Sequence, residues 1–299
     1  MFRWDRNRGL DPQTDFEQIY RNLATYDFPW DFNQSLSFAL FRTYAVPSVG
    51  ALLDDSGGFD DTQKRYDDTV LLLEQPLVGG FADGDAKAAI RRINQMHRAY
   101  DISNDDMRYV LATFVVVPKR WIDDYGWRAM TYDEVVASVH YYRTLGRHMN
   151  IKDIPETYEE FAAFMDDYEA EHFSYDAGGR RVADTTLELL SSFYPRFARP
   201  GVRWFSRSLM DPPLIAALGY KEPSNLARSV GRAAMATRAG FVRMLPPRLR
   251  AKRFERSSRM KTYRKGAVVV EQLGTFPGGC PVSRANSDDG DRTAPAVAR

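Results

Sequence analysis

Apolar and polar residues follow a helical period along most of this chain. In residues 85–101, Ile90, Ile93, His97 and Tyr100 recur at steps of three, four and three, which places them on one helix face. Amphipathic runs of the same period occupy residues 19–26, 107–117, 135–145, 161–173 and 187–197. Strand-like alternation is almost absent. The pattern therefore predicts an all-α fold.

Several predicted helices begin at a threonine or serine that is followed three residues later by an acid. In this arrangement the hydroxyl accepts from an early backbone N–H, and the carboxylate reaches back to the capping residue. Asp83 or Asp85 is the predicted N-cap of the helix that carries His97. Prolines at 118, 155, 195 and 200 are predicted to lie where helices stop or restart. The hydroxyl–acid pairs are Thr14/Glu17, Ser103/Asp106, Thr131/Glu134, Thr157/Glu160 and Thr185/Glu188.

Composition sets the domain organisation and the compartment. With 299 residues, 44% of them hydrophobic, the chain can bury an ample core and is not a disordered protein. We expect one helical domain over residues 1–277 and a disordered tail over 278–299, where Gly, Ser, Asp, Pro and Ala dominate. The single cysteine, Cys280, lies in that tail and predicts a reducing, cytoplasmic compartment. We recognise neither a secretion signal nor an apolar run of eighteen residues.

Charge is distributed unevenly along the chain. Residues 201–299 hold 19 Lys/Arg and 7 Asp/Glu, so residues 1–200 are acidic by a similar margin. Residues 243–265 contain ten basic residues and a single acid, Glu255. Such a stretch suits an anionic membrane face, the acidic N-terminal part of the chain, nucleic acid or cofactor carboxylates. Arginines near Trp204 lack the aromatic clustering of a nucleic-acid platform, so we expect no nucleic-acid partner.

Histidine is scarce and is the main candidate for chemistry. An imidazole at position 97, on an apolar helix face, loses water and needs a partner for each ring nitrogen, either a hydrogen bond or a metal. On this pattern alone, His97 is more often expected to be a hydrogen-bonded core residue than a metal ligand. His140 and His148 are eight residues apart on one predicted helix and are poorly placed to chelate one ion. A phosphate-binding glycine loop, a Gly-x-Ser-x-Gly elbow and a Cys-x-x-Cys pair are all absent from the sequence.

Glu169 and His172 have the Glu-x-x-His spacing of carboxylate-bridged di-iron helical bundles. That architecture needs a second such motif and two further glutamates, and the sequence has no second copy. A solvated acidic helix end is the favoured interpretation, and the di-iron reading is disfavoured.

A set of short motifs, in order, resembles the MpaB-type oxygenases, which are related to rubber oxygenase (latex clearing protein). The likeness runs from about residue 12 to 277, and the order and spacing of the motifs are more specific than any one of them. They are the run from Ser37 to Pro47, Arg65-x-x-x-Thr69, the turn from Gly80 to Ala86, Ile93-x-x-Met96-His97-Arg98, Trp121-x-x-x-Tyr125-Gly126-Trp127-Arg128, Gly146 to Pro155, Leu245-Pro246-Pro247, Tyr263-x-x-Gly266 and Gln272-Leu273-Gly274.

The resemblance implies a globin-like helical core that holds a b-type haem. His97 matches the histidine that ligates the iron from the proximal side, and Arg65 and Thr69 match an Arg-x-x-x-Thr pair beside the haem. The assignment of His97 as the iron ligand is physically reasonable, since a neutral imidazole on an apolar helix face suits iron. Arg65 and Thr69 are one helical turn apart and face the same way.

One departure from the family concerns Asp68. Rubber oxygenases carry a lysine just before the threonine, and an acid cannot offer the same neutral-amine ligand. Asp68, or its neighbour Asp67, could serve as a proton donor or acceptor on the distal side. An exposed helix carboxylate is the alternative.

The leading hypothesis is a haem b-dependent oxygenase that activates dioxygen and oxidises or cleaves an apolar, isoprenoid-like or lipid-like substrate. Cleavage of a carbon–carbon double bond and hydroxylation both stay open. The rival hypothesis is a non-catalytic haem sensor or carrier, or a helical interaction protein that meets an anionic membrane peripherally through residues 243–265.

Overall fold

The computed structural model describes residues 6–57, 59, 61–263 and 269–274, and the regular structure within them is helical throughout. The prediction of an all-α fold is confirmed. The predicted tail, 278–299, lies outside the described residues, and the globin-like arrangement stays a prediction. The α-helices are α1 (Phe16–Asn22), α2 (Pro29–Tyr44), α3 (Pro47–Asp55), α4 (Thr62–Gly79), α5 (Gly84–His97), α6 (Asn104–Tyr125), α7 (Tyr132–His148), α8 (Tyr158–His172), α9 (Ala177–Ser192), α10 (Arg199–Ser208), α11 (Pro212–Ala217) and α12 (Asn225–Met244). A π-helix (Leu23–Asp27) follows α1, and two 3₁₀ turns span Arg196–Ala198 and Val270–Gln272.

Helix starts agree with the predicted caps at four points. The amide of Glu134 donates to the Thr131 hydroxyl over 3.3 Å, and the amide of Thr131 donates to the Glu134 carboxylate over 2.9 Å, which completes a capping box. Ser103, Thr157 and Asp83 also accept from backbone amides in the first turns of their helices. The caps fix where α5 begins and therefore which side of it carries His97.

Two predicted starts are wrong. Helix α1 begins after Asp15 rather than Thr14, and no side chain caps it. Helix α9 begins nine residues earlier than the Thr185 signal suggests, because Asp176 caps it by accepting from the Gly179 amide over 2.7 Å. The Thr185 hydroxyl instead donates to a carbonyl of its own helix.

Helix α6 runs through Pro118, where the sequence predicts a break. It packs against α2 on one side and α8 on another. We attribute the tolerance of Pro118 to this packing, because the proline ring and the helix around it are held by core contacts. Tyr109, Val116 and Ile122 on α6 are among the most deeply buried residues of the main core cluster.

Close helix packing positions two segments around the candidate site. Helix α4 packs against α5, which brings the segments carrying Arg65 and His97 together. Helix α3 crosses α9 at Gly50 and Gly179, where a Cβ added to Gly50 would lie 2.7 Å from the Gly179 Cα. Only glycine permits this approach, and the crossing fixes the backbone of Tyr44 at the end of α2.

Among the described residues, no single helix is long and apolar enough to cross a bilayer. Helices α2 and α3 reach the required length and composition only when they are counted together, and they are bent by 97° at the break between them.

Candidate functional site

Helix α5 presents His97 at its last residue. Asp83 caps the helix by accepting from the amides of Asp85 and Ala86 over 2.9 and 3.2 Å. Ala86, Ala89, Ile90 and Ile93 form its buried face, and His97 follows in the same register. The expectation that the helical face continues to Tyr100 is wrong, because α5 ends at His97 and a turn follows.

The His97 side chain is partly buried, and one of its ring nitrogens has no hydrogen-bond partner among the described residues. Its Nδ1 atom is buried and makes no hydrogen bond in the described part of the chain. Burial lowers the pKa of His97, and the nearby positive charge of Arg65 lowers it further. The ring is therefore neutral at pH 7, with a nitrogen that needs either a hydrogen-bond partner or a metal.

Arg65 is a second group without an ordinary partner. Its guanidinium lies over the Phe59 ring, 4.7 Å from the ring centroid, and forms neither a hydrogen bond nor an ion pair with any described residue. Burial lowers its pKa, while the hydroxyls of Tyr44 and Tyr100 and the Asp68 carboxylate act in the opposite direction. Arg65 remains charged, since arginine does not lose its proton in proteins. A desolvated cation of this kind is suited to an anionic ligand group.

The structure thus brings together the Arg65 and His97 that the sequence singles out. The charge of Arg65 lowers the pKa of His97, and the Tyr44 and Tyr100 hydroxyls raise the pKa of Arg65, so these groups lie near one another. Tyr44 is buried, accepts from the Thr186 hydroxyl over 3.5 Å, and has a pKa raised by burial. The result is an imidazole and a guanidinium beside aromatic side chains, a mixture that can hold an amphiphilic group with an anionic edge.

Thr69 lies one turn after Arg65, as predicted, and contacts it through the backbone. Its hydroxyl donates to the Arg65 carbonyl over 2.8 Å. The hydroxyl proton is therefore used inside α4, while the oxygen keeps lone pairs that can accept from a ligand.

Asp68 is buried, so the alternative of an exposed helix carboxylate is wrong. It forms an ion pair with Lys64, one turn earlier on α4, and accepts from the Tyr263 hydroxyl. Lys64 also donates to the Gly274 carbonyl over 3.2 Å. Asp68 therefore connects α4 to two parts of the C-terminal segment, and its role as a proton donor or acceptor stays a prediction.

Two further acids of α4 hold the C-terminal segment by its backbone. Asp67 accepts from the amides of Lys261 and Thr262 over 3.0 and 2.9 Å. Glu74 accepts from the amides of Phe254 and Glu255 over 2.5 and 2.9 Å, and burial raises its pKa. Part of the basic stretch therefore faces the acidic N-terminal part of the chain, one of the alternatives that the sequence leaves open.

The other three histidines have different surroundings. His148 stacks on Phe81, with ring centroids 5.5 Å apart, and His140 lies 6.1 Å from the Phe16 ring. His172 stacks on Tyr168 at 4.0 Å, and its Nδ1 lies 3.0 Å from the Tyr168 carbonyl oxygen. No group of three or more metal-ligating side chains of the His, Cys, Asp or Glu type converges within the described ranges.

The Glu169 carboxylate, which has the Glu-x-x-His spacing to His172, is buried, so the interpretation of a solvated helix end is wrong for it. It forms a two-pronged ion pair with Arg42 and accepts from the Tyr109 hydroxyl over 3.0 Å. Asp211 completes the pairing of Arg42. This network joins α2, α6, α8 and the start of α11, and its carboxylates are used for structure.

Two clefts lie away from His97. One, of about 550 Å³, is lined by residues of α9 and α10, among them Glu188 and Arg203, which pair with each other. The other, of about 370 Å³, lies between the end of α8 and α11. Judged by volume alone, these two clefts would be the candidate ligand sites. We place the site at His97 and Arg65 instead, because a buried nitrogen and a desolvated cation that lack partners in the described part of the chain are the stronger mark of a ligand site.

Sequence reasoning missed several contributors to the site. Lys64 could have been found, because its spacing of four residues to Asp68 is that of a helical ion pair. Phe59, Tyr100 and Tyr263 reach the site from turns and from the C-terminal segment, and no local pattern predicts which charged group they meet.

Comparison with known families and structures gives a consistent result. The family model described as ER-bound oxygenase mpaB/B′/rubber oxygenase, catalytic domain, matches residues 32–240. The chain is 30% identical over 267 residues to the ER-bound oxygenase mpaB′ of Penicillium brevicompactum, covering 82% of this chain and 63% of the relative. It is 28% identical over 242 residues to the ER-bound oxygenase mpaB of Penicillium roqueforti, covering 74% of this chain and 81% of that relative.

A third relative, the ER-bound oxygenase mpaB of Penicillium brevicompactum, is 30% identical over 260 residues, with 76% of this chain and 65% of the relative covered. The chain therefore spans slightly less than two thirds of the length of the two relatives from this organism. Among solved structures, that of latex clearing protein in the closed state superposes with a TM-score of 0.52 and 17% identity, over 82% of this chain and 71% of the other. This last likeness concerns the fold.

Proposed function

Because the chain belongs to the mpaB/B′ and rubber oxygenase family, we propose that it is an oxygenase of apolar substrates that uses a non-covalent b-type haem held at His97. The observation that carries the proposal is the buried Nδ1 of a neutral imidazole beside a desolvated arginine, neither of which has a hydrogen-bond or ion-pair partner among the described residues. The relatives are named as oxygenases, and those names support the reaction class.

The residues present fit a haem. A haem offers an iron that binds imidazole nitrogen, a flat apolar macrocycle and two anionic propionates. Burial disfavours protonation of His97, and a neutral ring is the form that binds a metal. Arg65 supplies a cation for a carboxylate, and Phe59 and Tyr44 supply aromatic surface. The sequence holds no Cys-x-x-Cys-His, so the haem would be held without thioether bonds.

Each residue has a distinct task in the proposed mechanism. His97 would hold the iron, and its neutral state needs no proton to be displaced. Arg65 would supply the cation that pairs with an anionic edge of the group and so orients it. When bound, the haem supplies the activation of dioxygen, which amino-acid side chains do not perform.

The buried groups around the site exclude water and restrict proton movement. The Thr69 hydroxyl oxygen is free to accept a hydrogen bond, while its proton stays on the Arg65 carbonyl. The Asp68 carboxylate is held by Lys64 and the Tyr263 hydroxyl, so a proton delivered through it would come from one of these two donors. We propose an isoprenoid-like or lipid-like substrate, oxidised by cleavage of a double bond or by hydroxylation.

The haem content of the protein and of four histidine variants tests this proposal. The purified protein should contain one haem b per chain, measured as the pyridine haemochrome. His97→Ala should lose most of it, because the substitution removes the only buried imidazole nitrogen without a partner among the four histidines, all of which are described. His140→Ala, His148→Ala and His172→Ala are matched controls that should retain it.

Two results would contradict the proposal. One is retention of haem by His97→Ala together with its loss from one of the control variants. The other is a wild-type protein that takes up no added haemin. A protein that binds haem through His97 but turns over no apolar substrate in the presence of dioxygen and a reductant would instead favour a haem sensor or carrier.

A further inference from the structure

Helix α12 exposes an apolar stripe that no other described residue covers. Its side chains at Leu226, Val230, Phe241 and Met244 are 74, 45, 58 and 67% exposed. Their spacings of 4, 11 and 3 residues place them on one face of the helix. The adjoining face, turned toward the protein, carries the buried residues Ala227, Gly231 and Met235. We call the exposed set the α12 stripe.

The apolar surface continues past the end of the helix. Leu245 and Leu249 follow directly and are 40 and 80% exposed. Phe241, Met244 and these two leucines therefore concentrate large apolar side chains within nine residues. Soluble proteins rarely leave such a group open to water unless it meets a partner.

The charge of this region is entirely of one sign. Residues 223–254 contain eight Lys/Arg and no Asp or Glu. Arg238 pairs with Asp31 and lies over Trp30, so it faces the protein. Arg243, Arg248 and Arg250 form no ion pair with a described residue, and they are interleaved with the exposed apolar side chains.

We propose that the α12 stripe, together with residues 245–250, docks on an anionic lipid surface. An apolar face flanked by unpaired arginines is the arrangement by which a helix lies in the membrane interface, with its side chains among the acyl chains and its cations at the head groups. The inference rests on exposure and charge, and it is independent of the haem.

The same charges disfavour pairing with a second copy. A two-fold interface would place this patch against itself, so Arg243, Arg248 and Arg250 would meet the same three cations of the other copy with no acid of residues 223–254 to separate them. Anionic lipid supplies the missing negative charge.

The docking surface differs from the one predicted by the basic stretch alone. Within 252–263, the amides of Phe254 and Lys261 bind α4 carboxylates, and Arg259 donates to Asn33. That part of the stretch is held to the protein through these contacts. The proposed docking surface therefore begins at α12 and ends near Arg250.

Vesicle flotation tests the proposal with the full chain. The protein should float with vesicles of phosphatidylcholine and phosphatidylserine at low salt, and much less with pure phosphatidylcholine. The double variant Arg248→Gln/Arg250→Gln should bind about 25-fold more weakly, from about fivefold per arginine. Phe241→Ser/Leu249→Ser should lower binding by about tenfold or more, because apolar insertion is lost.

Matched controls use exposed residues elsewhere. Arg91→Gln/Arg147→Gln removes two exposed arginines without ion pairs, and Tyr132→Ser removes an aromatic side chain that is 80% exposed. Both should bind like the wild type. The proposal is overturned if the wild type does not bind anionic vesicles, or if the controls lose as much binding as the α12 variants. A concentration-dependent dimer that Phe241→Ser/Leu249→Ser dissolves, seen by sedimentation in the absence of lipid, would assign the stripe to a second copy instead.

Discussion

The α3–α9 crossing offers a sharp test of how the fold holds the candidate site. At Gly179 an added Cβ would fall well inside van der Waals contact with the Tyr44 carbonyl oxygen and close to the Gly50 Cα. Both atoms belong to the backbone, so neither can rotate away. Gly179→Ala must therefore separate the two helices or shift Tyr44, which lies within charge range of Arg65.

The magnitude follows from two opposing effects. Overpacking costs about 1–3 kcal/mol, and we take the upper end because backbone must move. The higher helix propensity of alanine relative to glycine offsets up to about 1 kcal/mol of this cost. We therefore expect Gly179→Ala to lower the free energy of unfolding by about 2 kcal/mol. Gly240→Ala, in α12, is the matched control: nothing lies within 4 Å of its added Cβ, so it should raise the free energy by about 0.5–1 kcal/mol.

Urea denaturation followed by far-ultraviolet circular dichroism measures both values. For a chain of 299 residues the expected loss in Gly179→Ala corresponds to a melting temperature about 3 °C lower. Because Tyr44 shifts, haem affinity should also fall in Gly179→Ala and not in Gly240→Ala. Equal stabilisation of the two variants would refute the close crossing.

Three further variants test other parts of the structure. Glu169→Ala leaves the buried Arg42 with Asp211 as its remaining ion-pair partner and should cost about 3–5 kcal/mol in urea denaturation. Burial raises the pKa of Glu74, so its contribution to stability is present at low pH and is lost as the pH rises above the ordinary value of 4.5. The free energy of unfolding of the wild type relative to Glu74→Gln should fall over that range, and a rise would contradict the burial argument. Thr69→Val should change the free energy of unfolding by less than about 1 kcal/mol, keep the wild-type haem content and lose turnover. Unchanged turnover would remove Thr69 from the site.

The helical architecture was predictable because its signals are local. Apolar period and capping residues lie within a few positions of each other, so the starts of α5, α6, α7 and α8 could be placed from the sequence. Pro118 and the start of α9 were mispredicted for a different reason. Packing of α6 and the cap by Asp176 outweighed the local preferences of proline and of Thr185.

The candidate site was predictable only in part. The resemblance singled out Arg65 and His97, and the structure brings these two groups close together. The burial of Asp68 was not predictable, because Tyr263, which binds it, and Gly274, which binds its partner Lys64, lie about two hundred residues further along the chain. A helical pattern shows which face a residue occupies but not which distant segment will cover that face.

One measurement tests the central claim most directly: imidazole rescue of haem binding by His97→Gly, followed by visible absorption. Removing the ring deletes the proposed iron ligand and leaves space for free imidazole. We predict that His97→Gly binds haemin weakly alone and regains the wild-type spectrum when imidazole is added, while the wild type needs none. If His97→Gly binds haemin as tightly as the wild type without imidazole, with the same spectrum, His97 is not the ligand and the proposed site is wrong.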